Sequence, residues 1–394
     1  MAGVLEGIRV LDFGRYVAGP YCATLLGDFG ADVIRVERRG GSEDRLIAPV
    51  TDKGEGAIFL QINRNKRSLT LDPNHPAASE ILRRLTAGAD VVVANVPTAA
   101  LASMSIDYDT LCATKPDIIL ANISSFGPVG PWKDRTGFDS VGQAMCGAAY
   151  LTGEPDQPYR TPITWVDHAT ALYAAVGIMM ALFERQRSGR GQQIDGSLLG
   201  SALAFNTSYL IEQAITGPDR TPIGNRSFVN GPTDMFHTRD GWIVTQVVGD
   251  PIFRRWTRLM NEPEWIVDPK FANDSLRGKN GALLSGRMAA WCAERTSEEA
   301  LDALSSAGIP AGPVLSPRDV LAHPQVQAMG LFQAVSYPGL DAPAPLLRTP
   351  INLSKTPGEI RSPPPTVGEH NLEILTELGF TTEEIARFGE YGAI

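Results

Sequence analysis

From Ile8 to Ile123 the chain switches repeatedly between two hydrophobic periods. Ile8-Arg9-Val10-Leu11-Asp12-Phe13 and Ala31-Asp32-Val33-Ile34-Arg35-Val36-Glu37 read as strands, with a helix-like stretch from Tyr21 to Leu26 between them. Ser68 to Leu71 and Val91 to Ala94 continue the strand series around a helix expected from about Pro76 to Leu85. Ile118 to Ile123 follows another short helix around Tyr108 to Ala113. This alternation predicts an α/β fold with an open parallel, Rossmann-like sheet, whose ligands collect at the carboxyl ends of the strands.

The pattern then lengthens. Leu172, Val176, Met179, Met180 and Phe183 recur at helical spacing within one long helix from Asp167 to Arg187, closed by Ser188-Gly189. A second apolar helix is expected from Leu198 to Ile215. Gly217 to Pro232 concentrates Gly, Pro, Asn and Arg and reads as a linker or mobile loop. A strand at Gly241 to Val248 opens a smaller α/β segment that runs to about Val314. The tail past Gly330 is proline-rich, then ends in a helix whose Thr381 and Glu384 form a capping box.

Composition narrows the class of function. A chain of 394 residues with 43% hydrophobic and 20% charged residues has enough material for two cores. Its net charge of -9 argues against broad capture of nucleic acid, so an anionic ligand must meet a local basic cluster. Cys22, Cys112, Cys146 and Cys292 lie far apart and the histidines make no ligand spacing, so neither a disulfide framework nor a metal site is expected. The first residues lack a secretory pattern, and the apolar run Ala171 to Phe183 is short of the ~20 residues of a membrane span. A cytoplasmic protein with no membrane or nucleic-acid partner is the expectation.

Candidate chemistry gathers at three places. The turn Gly14 to Pro20 leaves the first strand's carboxyl end, where small residues let a ligand approach the backbone; it also reads as an ordinary chain reversal. Glu37 could meet a ribose hydroxyl, while Arg38 and Arg39 favour a phosphate, and Arg64, Lys66 and Arg67 add positive charge; a solvated basic edge explains the same residues. Asp167 opens the long helix, either as its N-cap or as a carboxylate kept ionised by the helix N-terminus and available as a nucleophile. His168 beside it reads as a base or simply as the first helical residue.

Together these residues resemble the class III (CaiB/BaiF) CoA-transferases, the formyl-CoA and carnitine CoA-transferase group. The resemblance is carried in order by Leu5 to Phe13 with Ala18-Gly19-Pro20, Gly27 to Glu37, Asn65 to Ser68, Asn95, Phe138-Asp139 with Gln143-Ala144, the Asp167 helix, Ser188 to Gln192, Gly308 to Val314 and Gly368-Glu369-His370. It implies an interlocked homodimer with a large CoA-binding domain built from both chain ends, 1–216 and 330–394, and a linker and small domain at 217–329. It implies acyl-CoA and a carboxylic acid as substrates, with no permanently bound cofactor. By position it makes Asp167 the nucleophile and Asp139 an acidic neighbour of the reacting centre. Arg38 and Lys66 become phosphate-side CoA contacts, and Tyr16, Val17, Ala18 and Asn95 line the pantetheine and thioester. Arg15, Arg135 and Arg226 are candidates for the free carboxylate of a dicarboxylic acid.

Three departures accompany it. Gly224 to Gly231 lacks the glycine run that forms a flap in formyl-CoA transferase, and Val96 and Ser103 replace an aromatic and an arginine that contact CoA there. A racemase of 2-methylacyl-CoA, a rival on the same fold, pairs its aspartate with a histidine where Phe138 stands, which disfavours proton exchange on both faces of a carbon. A non-catalytic acyl-CoA-binding protein is the other alternative.

Overall fold

The computed structural model describes residues 3–394. It divides into two compact units. The larger comprises the chain up to Cys146, then Pro162–Ile211 and Met329–Ile394; the smaller comprises Gly147–Thr161 and Glu212–Ala328.

Six strands form the sheet of the larger unit: β1 (Arg9–Asp12), β2 (Asp32–Glu37), β3 (Lys66–Thr70), β4 (Val91–Ala94), β5 (Ile119–Ser124) and β6 (Gln193–Ser197). Their order is β3-β2-β1-β4-β5-β6, and every pairing is parallel. Leu11, Ile34, Leu69, Val92 and Leu120 belong to one core with Ile81, Leu82 and Leu85 of a helix at Ala78–Ala87. The alternate residues Val10, Val33, Val91 and Val93 are buried as well, so both faces of the sheet are covered. That double burial is why these strands read as continuous apolar runs.

The helices that frame the site are α1 (Ala18–Asp28), α2 (Asp139–Met145), α3 (Trp165–Ser188) and α4 (Leu198–Thr216). α3 ends as its sequence predicts, at Gly189 with φ 70° and its N–H on the Arg185 carbonyl. By length and composition α3 would suffice to cross a membrane, but 50% of its most apolar stretch is buried within the protein.

The tail seals the β3 edge of the sheet. Ser68 N–H donates to His370 Nδ1, Thr70 N–H to Asn371 Oδ1, and Gly368 N–H to Ser68 Oγ. An edge that would otherwise present bare ladder groups is thereby satisfied by residues 300 or so positions later. The Thr381–Glu384 capping box opens the closing helix, Thr382–Glu390.

In the smaller unit three antiparallel strands, Ala311–Pro313, Trp242–Gln246 and Thr233–His237, pack over an aromatic core. Phe253, Trp256, Phe271 and Met288 fill that core. Residues 217–232 form neither helix nor strand.

Candidate active site

β1 lies between β2 and β4, where the strand order reverses, and this is the position at which an open α/β sheet receives its ligand. The turn after β1 is fixed there by Asn95, just past β4. Its side-chain oxygen accepts the Arg15 N–H at 2.6 Å and its amide donates to the Arg15 carbonyl at 2.8 Å. Tyr16 follows in the left-handed region with φ 61°, a conformation that costs a non-glycine residue about 1–3 kcal/mol and persists only where its surroundings dictate it. Its ring packs edge-on against Phe138 with centroids 5.1 Å apart. Val17 and Ala18 are buried, and no side chain caps the first turn of α1.

Phe138 leads directly to the two aspartates. Asp139 begins α2, and its Oδ2 accepts hydrogen bonds from the Val166 N–H at 2.8 Å and the Asp167 N–H at 3.1 Å. Gln143, one turn along α2, donates to the other Asp139 oxygen at 2.5 Å and to the Ile163 carbonyl at 3.2 Å. Asp139 thus satisfies two of the free N–H groups that open α3. The helix starts at Trp165 with Thr164 as its N-cap residue, so Asp167 is not the cap; it sits within the first turn. The capping account of Asp167 is thereby replaced by one in which a second aspartate holds the helix end.

The Asp167 carboxyl has no hydrogen bond or salt bridge among the described residues and is only 8% exposed. Burial, and secondarily the charge of Asp139, push its pKa up to about 7. The ionised form expected at neutral pH is thus present there alongside the protonated one. Desolvation and a like charge outweigh the helix dipole, whose contribution is about 0.3–1 kcal/mol in ordinary settings.

The basic residues distribute differently from their sequence pattern. Arg38 is exposed beside β2, bonded to the Gly41 carbonyl and paired with Glu43 at 3.0 Å. Lys66 is fully buried, and its ammonium donates to Asp12 at 2.7 Å, the Pro20 carbonyl at 2.8 Å and Asn63 at 3.0 Å. With three donors on three acceptors, it offers no free N–H to a phosphate. Arg64 and Arg67 pair with Asp28 and Asp32. Glu37 is buried, and its carboxylate is taken up by Arg45 and Ser68.

Of the three arginines considered for a distal carboxylate, Arg15 is anchored by the Phe13, Gly14 and Val36 carbonyls and forms no salt bridge among the described residues, although the Asp44, Asp12 and Glu37 charges act on it. Arg135 lies over the Trp132 ring, with its guanidinium 4.2 Å from the centroid. Arg226 belongs to the smaller unit and bonds the Ile223 carbonyl. Among the described residues no group of three or more metal-ligating side chains assembles.

The model of CoA-transferase family III matches residues 5–371. The chain belongs to CoA-transferase family III. It is similar to succinyl-CoA–D-citramalate CoA-transferase of Chloroflexus aurantiacus, at 35% identity over 97% of this chain and 96% of the relative. It is likewise similar to succinyl-CoA:glutarate CoA-transferase of Mus musculus, at 34% identity over 95% of this chain and 86% of the relative. The crystal structure of a CaiB/BaiF family protein from Brucella suis superposes with a TM-score of 0.84 and 33% identity, covering 96% of this chain and all of the other.

Within this CoA-transferase, the place beside Asp139 carries Phe138, and the nearby His168 has its Nδ1 at 2.7 Å from the Thr164 carbonyl. Its ring rests against Tyr21, 4.9 Å away. The structure also brings in two residues to which the sequence reading gave no role. Gln143 was legible as an i, i+4 partner of Asp139 on one helical face. Asp12, at the end of β1, gave no local signal, because its partner Lys66 is distant in sequence.

Proposed function

We propose that this CoA-transferase moves CoA from an acyl-CoA donor to a carboxylic acid through covalent attachment to Asp167. The observation that carries the reading is the Asp167 carboxyl itself, buried, unpartnered among the described residues and poised near neutrality. Structural carboxylates are rarely left so.

In the first step the ionised Asp167 attacks the thioester carbonyl, expels CoA thiolate and forms a mixed anhydride. The thiolate then attacks the aspartyl carbonyl, releasing the donor acid and leaving CoA on Asp167 as a thioester. An acceptor carboxylate attacks that thioester and expels the thiolate a second time. Finally the thiolate attacks the acceptor's acyl carbon, forming the new acyl-CoA and freeing Asp167. Each step exchanges one acyl bond for another, so no thioester energy is lost to water. Asp139 orients the helix end that carries Asp167, and the backbone N–H groups of Tyr16 to Ala18 supply positive potential toward the developing oxyanion. Asn95, Tyr16, Val17 and Ala18 line the thioester arm, and Arg38 is the phosphate-side contact.

The two named relatives take succinyl-CoA with D-citramalate or glutarate. Succinate, citramalate and glutarate are all dicarboxylic acids, which supports a dicarboxylate substrate here, with Arg15, which forms no salt bridge among the described residues, as the counter-charge. A homodimer is part of the same reading. α3 exposes Leu172, Tyr173, Val176, Met180 and Phe183, an apolar face of the kind that a second copy would cover.

Incubation with a panel of acyl-CoA thioesters, a hydroxylamine quench and peptide mass spectrometry tests the transfer. A hydroxamate on Asp167 that requires thioester is the expected outcome. An unmodified Asp167, with solvent exchange at the alpha carbon of a branched acyl-CoA, would sink it in favour of racemisation.

A further inference from the structure

Beneath the Tyr16 turn lies a charged pair to which the transfer chemistry gives no work. Asp12 closes β1 and Lys66 opens β3; both side chains are fully buried, with Nζ 2.7 Å from Oδ2. A buried ion pair is weak evidence for stability in itself, because desolvation consumes much of the attraction. Its hydrogen bonds suggest another purpose.

The other Asp12 oxygen accepts the Gly14 N–H at 2.8 Å, at the turn's entry. Lys66 donates to the Pro20 carbonyl at 2.8 Å, at the turn's exit in the first turn of α1. One pair therefore pins both ends of the segment that holds Tyr16 at φ 61°. The space within it is tight. A Cβ on Gly14 would come within 2.6 Å of Pro20 Cδ and 2.7 Å of Asp12 Oδ1, and one on Gly19 within 3.0 Å of Gly14 Cα. Tyr16 in turn touches Phe138, whose neighbour Asp139 holds the N–H of Asp167. A continuous set of contacts thus runs from the buried pair to the candidate nucleophile.

We infer that Asp12 and Lys66 are positioning residues that set the Tyr16–Ala18 backbone against Asp167, and that Lys66 does this in place of contacting a CoA phosphate. The inference rests on the reading that the thioester reacts at Asp167 beside this turn. A displacement of about 1 Å at such a site costs on the order of a hundredfold in rate.

The test compares Lys66→Met with the unmodified enzyme on a CoA thioester and on the pantetheine thioester of the same acid, which carries no 3'-phosphate or diphosphate. The expected result is a fall in kcat of about tenfold to a hundredfold on both substrates. KM for the CoA thioester changes little, and the preference for CoA over pantetheine is retained. Acylation of Asp167, read as its hydroxamate, slows in parallel. A rise in KM confined to the CoA thioester would make Lys66 a phosphate contact and overturn the inference, as would unchanged turnover on both. If Lys66→Met does not fold, Gly14→Ala loads the same turn, against Pro20 and Asp12, while leaving Lys66 in place. It should show the same kcat loss with the same retained preference, and normal turnover in folded Gly14→Ala overturns the proposal. Failure of the underlying reading is separately visible as an absent hydroxamate in the unmodified enzyme.

Discussion

Asp12 and Asp167 are both buried carboxyls in the larger unit, and their surroundings drive them in opposite directions. Burial raises the pKa of each. At Asp12 this is outweighed by the Lys66 and Arg35 charges and by hydrogen bonds from Lys66 and Gly14, so the carboxyl stays below its usual range. At Asp167 nothing offsets burial, and the Asp139 charge adds to it. The difference teaches that burial alone does not decide whether an acid is charged inside a protein; the partner does. The aspartate with a partner is tied into the framework, and the one without has no such tie.

The comparison can be broken first at its reactive member. On the covalent route proposed above, Asp167→Ala should lower turnover at least about a thousandfold while leaving the fold intact, because that route needs its carboxylate. Steady-state CoA transfer together with thermal unfolding checks both halves, and retained turnover would remove Asp167 from the mechanism. Loss of the framework member should cost stability as well as rate. Asp12→Ala leaves the Lys66 ammonium buried without its counter-ion and should destabilise the protein by about 3–5 kcal/mol, read from denaturant unfolding.

Stability as a function of pH sharpens the contrast. Asp167 titrates near 7 in the folded chain against a reference of 3.8, so across that window the folded state holds a proton that the unfolded state has lost. Stability therefore falls as pH rises through the window, by about 4 kcal/mol at most. Asp167→Asn should remove this penalty, stabilising the protein at pH 8 and gaining nothing below about pH 4. An equal gain at both pH values would refute the burial account. The smallest effect concerns the neighbour. kcat/KM of the unmodified enzyme should fall as pH drops through about 7, as the nucleophile becomes protonated. Asp139→Asn removes a like charge and should move that acid limb to lower pH, whereas an unmoved limb would assign it to another group.

The legibility of this molecule in its sequence followed how local each signal is. β1, β4 and β5 are buried on both faces and announce themselves as apolar runs, and β2 shows through Val33, Ile34 and Val36 although Arg35 and Glu37 interrupt it. β6, Gln193–Ser197, has no fully buried residue and carries no such run, so periodicity passed it by. The capping box at Thr381 was readable because its partners are three residues apart. Lys66 was misread for the opposite reason. Its charge, seen beside those of Arg64 and Arg67, looked like a basic surface, yet Lys66 and Arg64 turn inward to Asp12 and Asp28, and Arg67 is taken up at the surface by Asp32, Glu373 and Glu377. Asp167 and Asp139 were singled out through the ordered family pattern; the hydrogen bond from the Asp167 N–H to Asp139 needed the fold.

The sealing of β3 by residues near 368–371 has a consequence for biosynthesis. As the nascent chain leaves the ribosome, the first five strands are complete long before the segment that covers their outer edge exists. At about 5–20 residues per second, that edge waits for tens of seconds. During this interval the smaller unit, whose residues lie mostly in one contiguous stretch, can condense on its own, while the half-built sheet is open to pairing with other chains. Until the tail arrives, the larger unit carries the greater exposure to such pairing.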